Sequence, residues 1–254
     1  MIRTIRKETF FAERSVANGV VPVLLLVMQS LTVSRPEAVI FDFDGVIVDT
    51  EPLHYRSFQE VLDPLGIGFP WPEYVKTYMG FDDRDAFLEA FRARGKELDE
   101  QGLQALVASK SKIFQEVIRQ GVTAYPGVVR NLTSLHASGL PLAICSGALR
   151  SDITPILAQL GIAHCFRHII TADDVRKSKP DPECYSLAFH RLLHAHPSLV
   201  SSPGKCLAIE DTPAGIRAAK LAGLNVLAVT NSYSGKELTE ADYLTDSLEN
   251  VRFS

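Results

Sequence analysis

The sequence predicts an α/β fold: a doubly wound, Rossmann-like parallel sheet core with a helical domain inserted after the first strand. Three observations carry this prediction. Short continuous apolar runs recur along the chain and end on polar residues. Strands buried on both faces of a parallel sheet read this way, since neither face meets water. Stretches with apolar residues at helical spacing separate the runs, and such alternation is the pattern of a sheet covered by helices on both sides. One long helical stretch breaks the alternation early and is therefore an insert.

The first 35 residues stand apart. Met1–Arg14 is basic and unpatterned, and "GVVPVLLLVMQSLTV" (Gly19–Val33) is apolar but interrupted by Pro22. That run is shorter than the ~20 residues a membrane-spanning helix needs, so no stable membrane span is expected. Two readings fit it: a weak targeting or anchoring segment, or an upstream start with Met28 as the first residue. The globular pattern begins only near Glu37, which favours the second.

"AVIFDFDG" (Ala38–Gly45) reads as the first buried strand. Leu53–Gly121 follows with helical spacing and no strand-like run: Phe58, Val61, Leu62 and Leu65, then Phe87, Leu88 and Phe91, then Leu103, Leu106 and Val107, then Ile113, Phe114, Val117 and Ile118. Pro52 borders it on one side, and Gly121 with "YPG" (Tyr125–Gly127) on the other. Helix Val128–Ser138, strand Pro141–Ala148, helix Leu149–Leu160 and the weaker strand His168–Asp174 come next. Helix Glu183–His194, strand Cys206–Thr212, helix Ala214–Ala222 and strand Leu224–Thr230 complete the core. The expected division is an N-terminal extension (1–35), a core domain (36–52 and 122–254) and a helical cap domain (53–121).

A chain of 254 residues suits one large α/β domain, or a core with a smaller insert. With 46% hydrophobic and 22% charged residues, its composition is that of an ordinary globular protein. A net charge of −4 provides no basic excess, so no nucleic-acid partner is expected. The four cysteines show no CxxC or other metal-ligand spacing. Cys145 and Cys206 sit in apolar strand-like runs and are expected to be buried free thiols of a reducing compartment, hence a cytoplasmic location.

Ligands of open α/β sheets bind beyond the carboxyl ends of the strands, so polar residues there are the ones to inspect. Four places qualify: Asp42 and Asp44, Ser146 and Gly147, Lys179 in "KSKPDP", and Glu210 with Asp211. Each alone has an ordinary structural use as a turn, a cap or a solvated charge. Together they gather carboxylates, a hydroxyl and a lysine along one sheet edge. Like charges so gathered repel unless a cation joins them, and all-oxygen ligation suits Mg²⁺.

In their order, these four motifs resemble those of the haloacid dehalogenase superfamily. "DGVIVDTEPLH" (Asp44–His54) with the helical insert is similar to the branch of β-phosphoglucomutase and phosphoglycolate phosphatase. The resemblance runs from about Ala38 to the C-terminus. It implies that Asp42 is a nucleophile forming an aspartyl-phosphate, and that Asp44 protonates the leaving oxygen and then deprotonates water. Asp44 argues for phosphate esters, because the dehalogenases of the superfamily lack a second Asp there. Ser146 and Gly147 would hold phosphoryl oxygens, and Lys179 would neutralise nucleophile and phosphate. Asp42, the Asp44 carbonyl, Glu210 and Asp211 would bind Mg²⁺.

His54, Arg84, Lys110 and Arg150 are candidate substrate contacts. Arg84 sits one place later after the glycine than in the mutases, and "SGALR" (Ser146–Arg150) departs from their pattern. Asp49 reads as a helix cap. The expectation is an Mg²⁺-dependent phosphatase acting on a small phosphorylated metabolite, a sugar phosphate. A hexose phosphate mutase of the β-phosphoglucomutase type is the main alternative, and a non-enzymatic phospho-receiver module a remote one.

Overall fold

The structure is a computed structural model that describes residues 30–79 and 81–254. The apolar run before residue 30 and the start expected at Met28 lie outside the described residues. The strands are β1 (Leu31–Val33), β2 (Val39–Phe41), β3 (Leu142–Cys145), β4 (His168–Ile170), β5 (Leu207–Glu210), β6 (Asn225–Val229), β7 (Tyr243–Thr245) and β8 (Val251–Phe253). The helices are α1 (Glu51–Leu62), the short α2 (Trp71–Glu73), α3 (Asp83–Ala93), α4 (Glu100–Arg119), α5 (Val128–Ala137), α6 (Arg150–Gln159), α7 (Glu183–Ala195) and α8 (Pro213–Leu221).

Six strands form one parallel sheet in the order β4-β3-β2-β5-β6-β7. The chain leaves β2 towards one edge and returns to build the other, so β2 ends at the topological switch point. Alternate residues of each strand enter different cores, as the two-residue period of a strand demands. Val39, Phe41, Leu142, Ile144, Leu207 and Ile209 pack with α5 and α6 on one face. Ile40, Ala143, Cys145, Ala208 and Ala228 pack with α7 and α8 on the other. The small residues on that second face let its helices approach the sheet closely.

Between β2 and β3 the chain builds a separate apolar cluster. It joins Phe58, Val61 and Leu62 of α1, Phe69, Tyr74 and Tyr78, Ala86, Phe87 and Ala90 of α3, and Leu103 of α4. Helix α4 also contributes Phe114 and Ile118 to the sheet's core, so one helix ties the insert to the sheet.

Three findings correct the sequence reading. Strands β1, β7 and β8 are additional; β1 and β8 form a parallel pair of their own. The run His168–Asp174 stays a strand only to Ile170, because Thr171 and Asp174 close a capping box on the turn that follows. Cys145 is not a free thiol. Helix α7 crosses the end of β3 and joins Cys184 to it in a disulfide, with Cα atoms 5.8 Å apart. The partners lie 39 residues apart, so no local spacing announces the pair. Cys165 and Cys206 are free and buried. Among the described residues, no helix is long and apolar enough to cross a membrane.

Candidate active site

The carboxyl end of β2 points Asp42 into the crevice between β3 and β5. Its amide donates to the carbonyl of Ile209 (2.9 Å), which pins its backbone to the neighbouring strand. Its Oδ1 accepts from Nζ of Lys179 at 2.5 Å. The same ammonium donates to Oε1 of Glu210 (2.6 Å) and to the carbonyl of Cys145 (3.0 Å), so its three protons are used. Burial alone would lower Lys179, but Asp42 and Glu210 outweigh it and hold the lysine above its ordinary value.

Glu210 and Asp211 end β5. Oε1 of Glu210 also accepts from the Tyr185 hydroxyl (2.7 Å), and Oε2 accepts from the Thr212 hydroxyl and the amides of residues 211 and 212. Gly215 makes room for this carboxylate: a Cβ there would lie 1.9 Å from Oε1. Asp211 receives a hydrogen bond from the Ser232 hydroxyl on Oδ2, while its Oδ1 is buried without a partner. Asn231, beside Ser232, donates to the carbonyl of Gly45 (2.7 Å).

Asp42, Glu210 and Asp211 each offer an oxygen, all within 4.8 Å of one another. Burial, with Glu210 and Asp44 alongside, pushes the Asp42 carboxyl up against the pull of Lys179. Burial next to Asp42 and Glu210 likewise pushes Asp211 well above its usual range. Three buried carboxylates against one lysine leave an excess of negative charge, which costs several kcal/mol per uncompensated ion. The orphaned Asp211 oxygen and the all-oxygen donor set fit a hard divalent cation.

Asp44 lies past the strand end, half-buried. The Thr50 hydroxyl donates to its Oδ1. Burial raises the Asp44 carboxyl, and Thr50, Lys179 and Lys110 oppose that rise. Thr50 rather than Asp49 occupies the N-cap position of α1. Its hydroxyl is spent on Asp44, so the helix end has no side-chain cap and Asp49 remains exposed.

Ser146 is buried beyond β3, its amide bonded to the carbonyl of Ile170 (3.0 Å) and its Oγ accepting from the amide of Ala148 (2.9 Å). Gly147 next to it is exposed and has open space where a side chain would be. From the insert, Lys110 is buried with Nζ 2.6 Å from Asp83 and 2.8 Å from Nδ1 of His54. His54 stacks on Phe114 at 4.3 Å, and burial beside Lys110 holds its imidazole well below its ordinary value.

Two sequence candidates are engaged elsewhere. Arg84 is half-exposed and clasps both oxygens of Glu100 at 3.0 Å. Arg150 is bonded to Asp174 (2.5 Å) and to the carbonyl of Ile169 (2.8 Å), where it secures the end of β4. Tyr185 and Ser232 were not foreseen. Ser232 follows the end of β6, and extending the strand-end criterion to that strand would have found it. Tyr185 sits on the apolar face of α7, where a tyrosine carries no signal beyond core packing.

The family model described as haloacid dehalogenase-like hydrolase matches residues 39–229. The Bacillus subtilis protein YhcW is 34% identical over 82% of this chain and 89% of its own length. The phosphorylated carbohydrates phosphatase of Thermotoga maritima is 31% identical over 81% of this chain and 91% of that protein. Among solved structures, CbbY from Rhodobacter sphaeroides in complex with xylulose-1,5-bisphosphate superposes with a TM-score of 0.73 at 25% identity, covering 84% of this chain and 95% of the other.

Proposed function

The chain belongs to the haloacid dehalogenase-like hydrolase family, and on that premise we propose that it is an Mg²⁺-dependent phosphatase that cleaves a small phosphorylated sugar or polyol through an aspartyl-phosphate. The observation that carries this reading is the convergence of Asp42, Glu210, Asp211 and Lys179 at the end of β2, with Asp44 two residues on and held by Thr50.

A carboxylate of Asp42 attacks phosphorus, and the bond from phosphorus to the leaving oxygen breaks. Asp44 gives its proton to that oxygen. The alcohol departs, and Asp44 then takes a proton from the water that attacks the aspartyl-phosphate, releasing phosphate and restoring Asp42. Burial favours the protonated form of Asp44 needed at the first step, while the hydrogen bond from Thr50 supports the carboxylate needed at the second. Lys179 offsets charge on Asp42 and on the transferring phosphoryl group. Ser146 and the open amide of Gly147 orient phosphoryl oxygens. Asp42, Asp211 and the Asp44 carbonyl would hold the Mg²⁺, which supplies charge neutralisation and a template for in-line displacement. Glu210 is saturated by Lys179, Tyr185 and Thr212, so it completes the charge of the metal site while fixing the lysine.

The helical insert serves as a cap that excludes water and reads the leaving group, with His54 and Lys110 nearest the chemistry. Release of phosphate from p-nitrophenyl phosphate and from a panel of sugar and polyol phosphates, with and without Mg²⁺, tests the reading. Asp42→Asn is expected to lower turnover at least about 10³-fold. Equal activity of variant and wild type would remove Asp42 from its role. Conversion of β-glucose 1-phosphate to glucose 6-phosphate without phosphate release would show a mutase instead.

A further inference from the structure

Each cation that the sequence offers to the far end of a substrate is already matched by a carboxylate of this chain. Lys110 is held by Asp83 at 2.6 Å, Arg84 by Glu100 at 3.0 Å, and Arg150 by Asp174 at 2.5 Å. The surroundings of Lys110 deepen the contrast. His54, Asp83, Phe58 and Phe114 touch it or face it directly, and Asp44, Glu51 and Asp152 lie within electrostatic reach. One lysine thus stands among four carboxyl groups. Its side chain is only 3% exposed, whereas that of Asp83 is 32% exposed, so an arriving ligand meets the acid before the base.

A second phosphate brought to this wall would find Lys110 already paired and would press against Asp83. A hydroxyl-bearing group would find an acceptor in Asp83. An interface that places a like charge against a competitor discriminates through repulsion, in addition to any attraction for the preferred ligand. We propose that the site selects phosphomonoesters whose leaving group bears no second anionic group, such as polyol and neutral sugar monophosphates, and that Asp83 is the specificity-determining residue that turns bisphosphates away. This inference rests on the phosphatase reading above.

The test is the ratio of kcat/KM for a hexitol monophosphate to that for a hexose bisphosphate, with p-nitrophenyl phosphate as the reference substrate. The wild type is expected to favour the monophosphate at least tenfold. Asp83→Asn and Asp83→Ser keep a polar residue at the start of α3 and should each shift the ratio at least tenfold towards the bisphosphate. Arg84→Ala should leave the ratio where it is; a fall in bisphosphate use alone would show that Arg84 is recruited to a second phosphate and would overturn the proposal. So would a wild type that uses both substrates equally, or Asp83 variants that leave the ratio unmoved. Those failures, with p-nitrophenyl phosphate still turned over, strike the selectivity alone. Loss of p-nitrophenyl phosphate turnover in the Mg²⁺-loaded wild type strikes the phosphatase reading, and the proposal falls with it.

Discussion

A Cβ on Gly45 would lie 1.8 Å from Oδ2 of Asp211 and 2.9 Å from Oγ of Ser232, and the residue holds φ at +80°. Glycine is therefore required twice over, for the left-handed backbone and for the approach of the carboxylate. Gly45→Ala should cost roughly 1–3 kcal/mol in urea unfolding through backbone strain. By displacing Asp211 it should also lower Mg²⁺-dependent turnover of p-nitrophenyl phosphate at least about tenfold, since misplacement of a reacting group by 1 Å can cost about 10²-fold. Turnover at the wild-type level would show that Asp211 has no part in the chemistry. At this scale the gathering of the candidate residues was legible. Asp42, Asp44, Ser146, Lys179, Glu210 and Asp211 each follow an apolar strand or answer a charge gathered at its end. Side-chain direction was not legible: Arg84 and Arg150 find their partners 16 and 24 residues away, a choice made by tertiary packing.

Helix α6 runs through Pro155, its sixth residue, where proline has no N–H to give the carbonyl of Ser151. Gln115 of α4 supplies the missing donor. Its Nε2 lies 3.0 Å from that carbonyl and 2.6 Å from Oδ1 of Asp152. A break in one helix is thereby turned into a tie between insert and core. Gln115→Ala should destabilise by about 1–3 kcal/mol, from two hydrogen bonds of roughly 0.5–1.5 kcal/mol each. In a Pro155→Ala background, a backbone N–H can bond Ser151 again, so the same substitution should cost less there. A double-mutant cycle by urea unfolding reads the difference, and a coupling of zero would show that the carbonyl does not depend on Gln115. The elements themselves were legible wherever apolar runs were long and buried on both faces. Strands β1, β7 and β8 each bury one residue of three and each hold a polar residue (Thr32, Thr245, Arg252), so no continuous apolar run marks them. The strand expected through Asp174 stops at Ile170 because local hydrogen bonds of Thr171 and Asp174 outcompete the ladder.

For the whole molecule, the excess buried carboxylates would make the proposed metal binding a matter of stability as well as catalysis. The proposed ligands come from the ends of β2 and β5, which exist as a set only in the folded sheet, so Mg²⁺ should bind the native state far better than the unfolded chain. At a concentration of 100 Kd such linkage contributes roughly 2.7 kcal/mol. For a chain of this size each kcal/mol raises Tm by about 2–4 °C, so a rise of about 5–10 °C is expected over the chelated protein. Asp211→Asn should remove most of that rise and leave the chelated form no less stable, because the amide relieves a buried like-charge contact. The single tryptophan, Trp71, lies in the insert, packed against Tyr55 and Tyr74. Helix α4 places Leu103 in the insert's cluster and Phe114 and Ile118 in the sheet's core. If that shared helix makes insert and core one cooperative unit, the midpoint from Trp71 fluorescence must move with Mg²⁺ as far as the midpoint from far-ultraviolet circular dichroism. A fluorescence midpoint that stays fixed while the dichroism midpoint rises would show two independently melting parts joined only at their hinge.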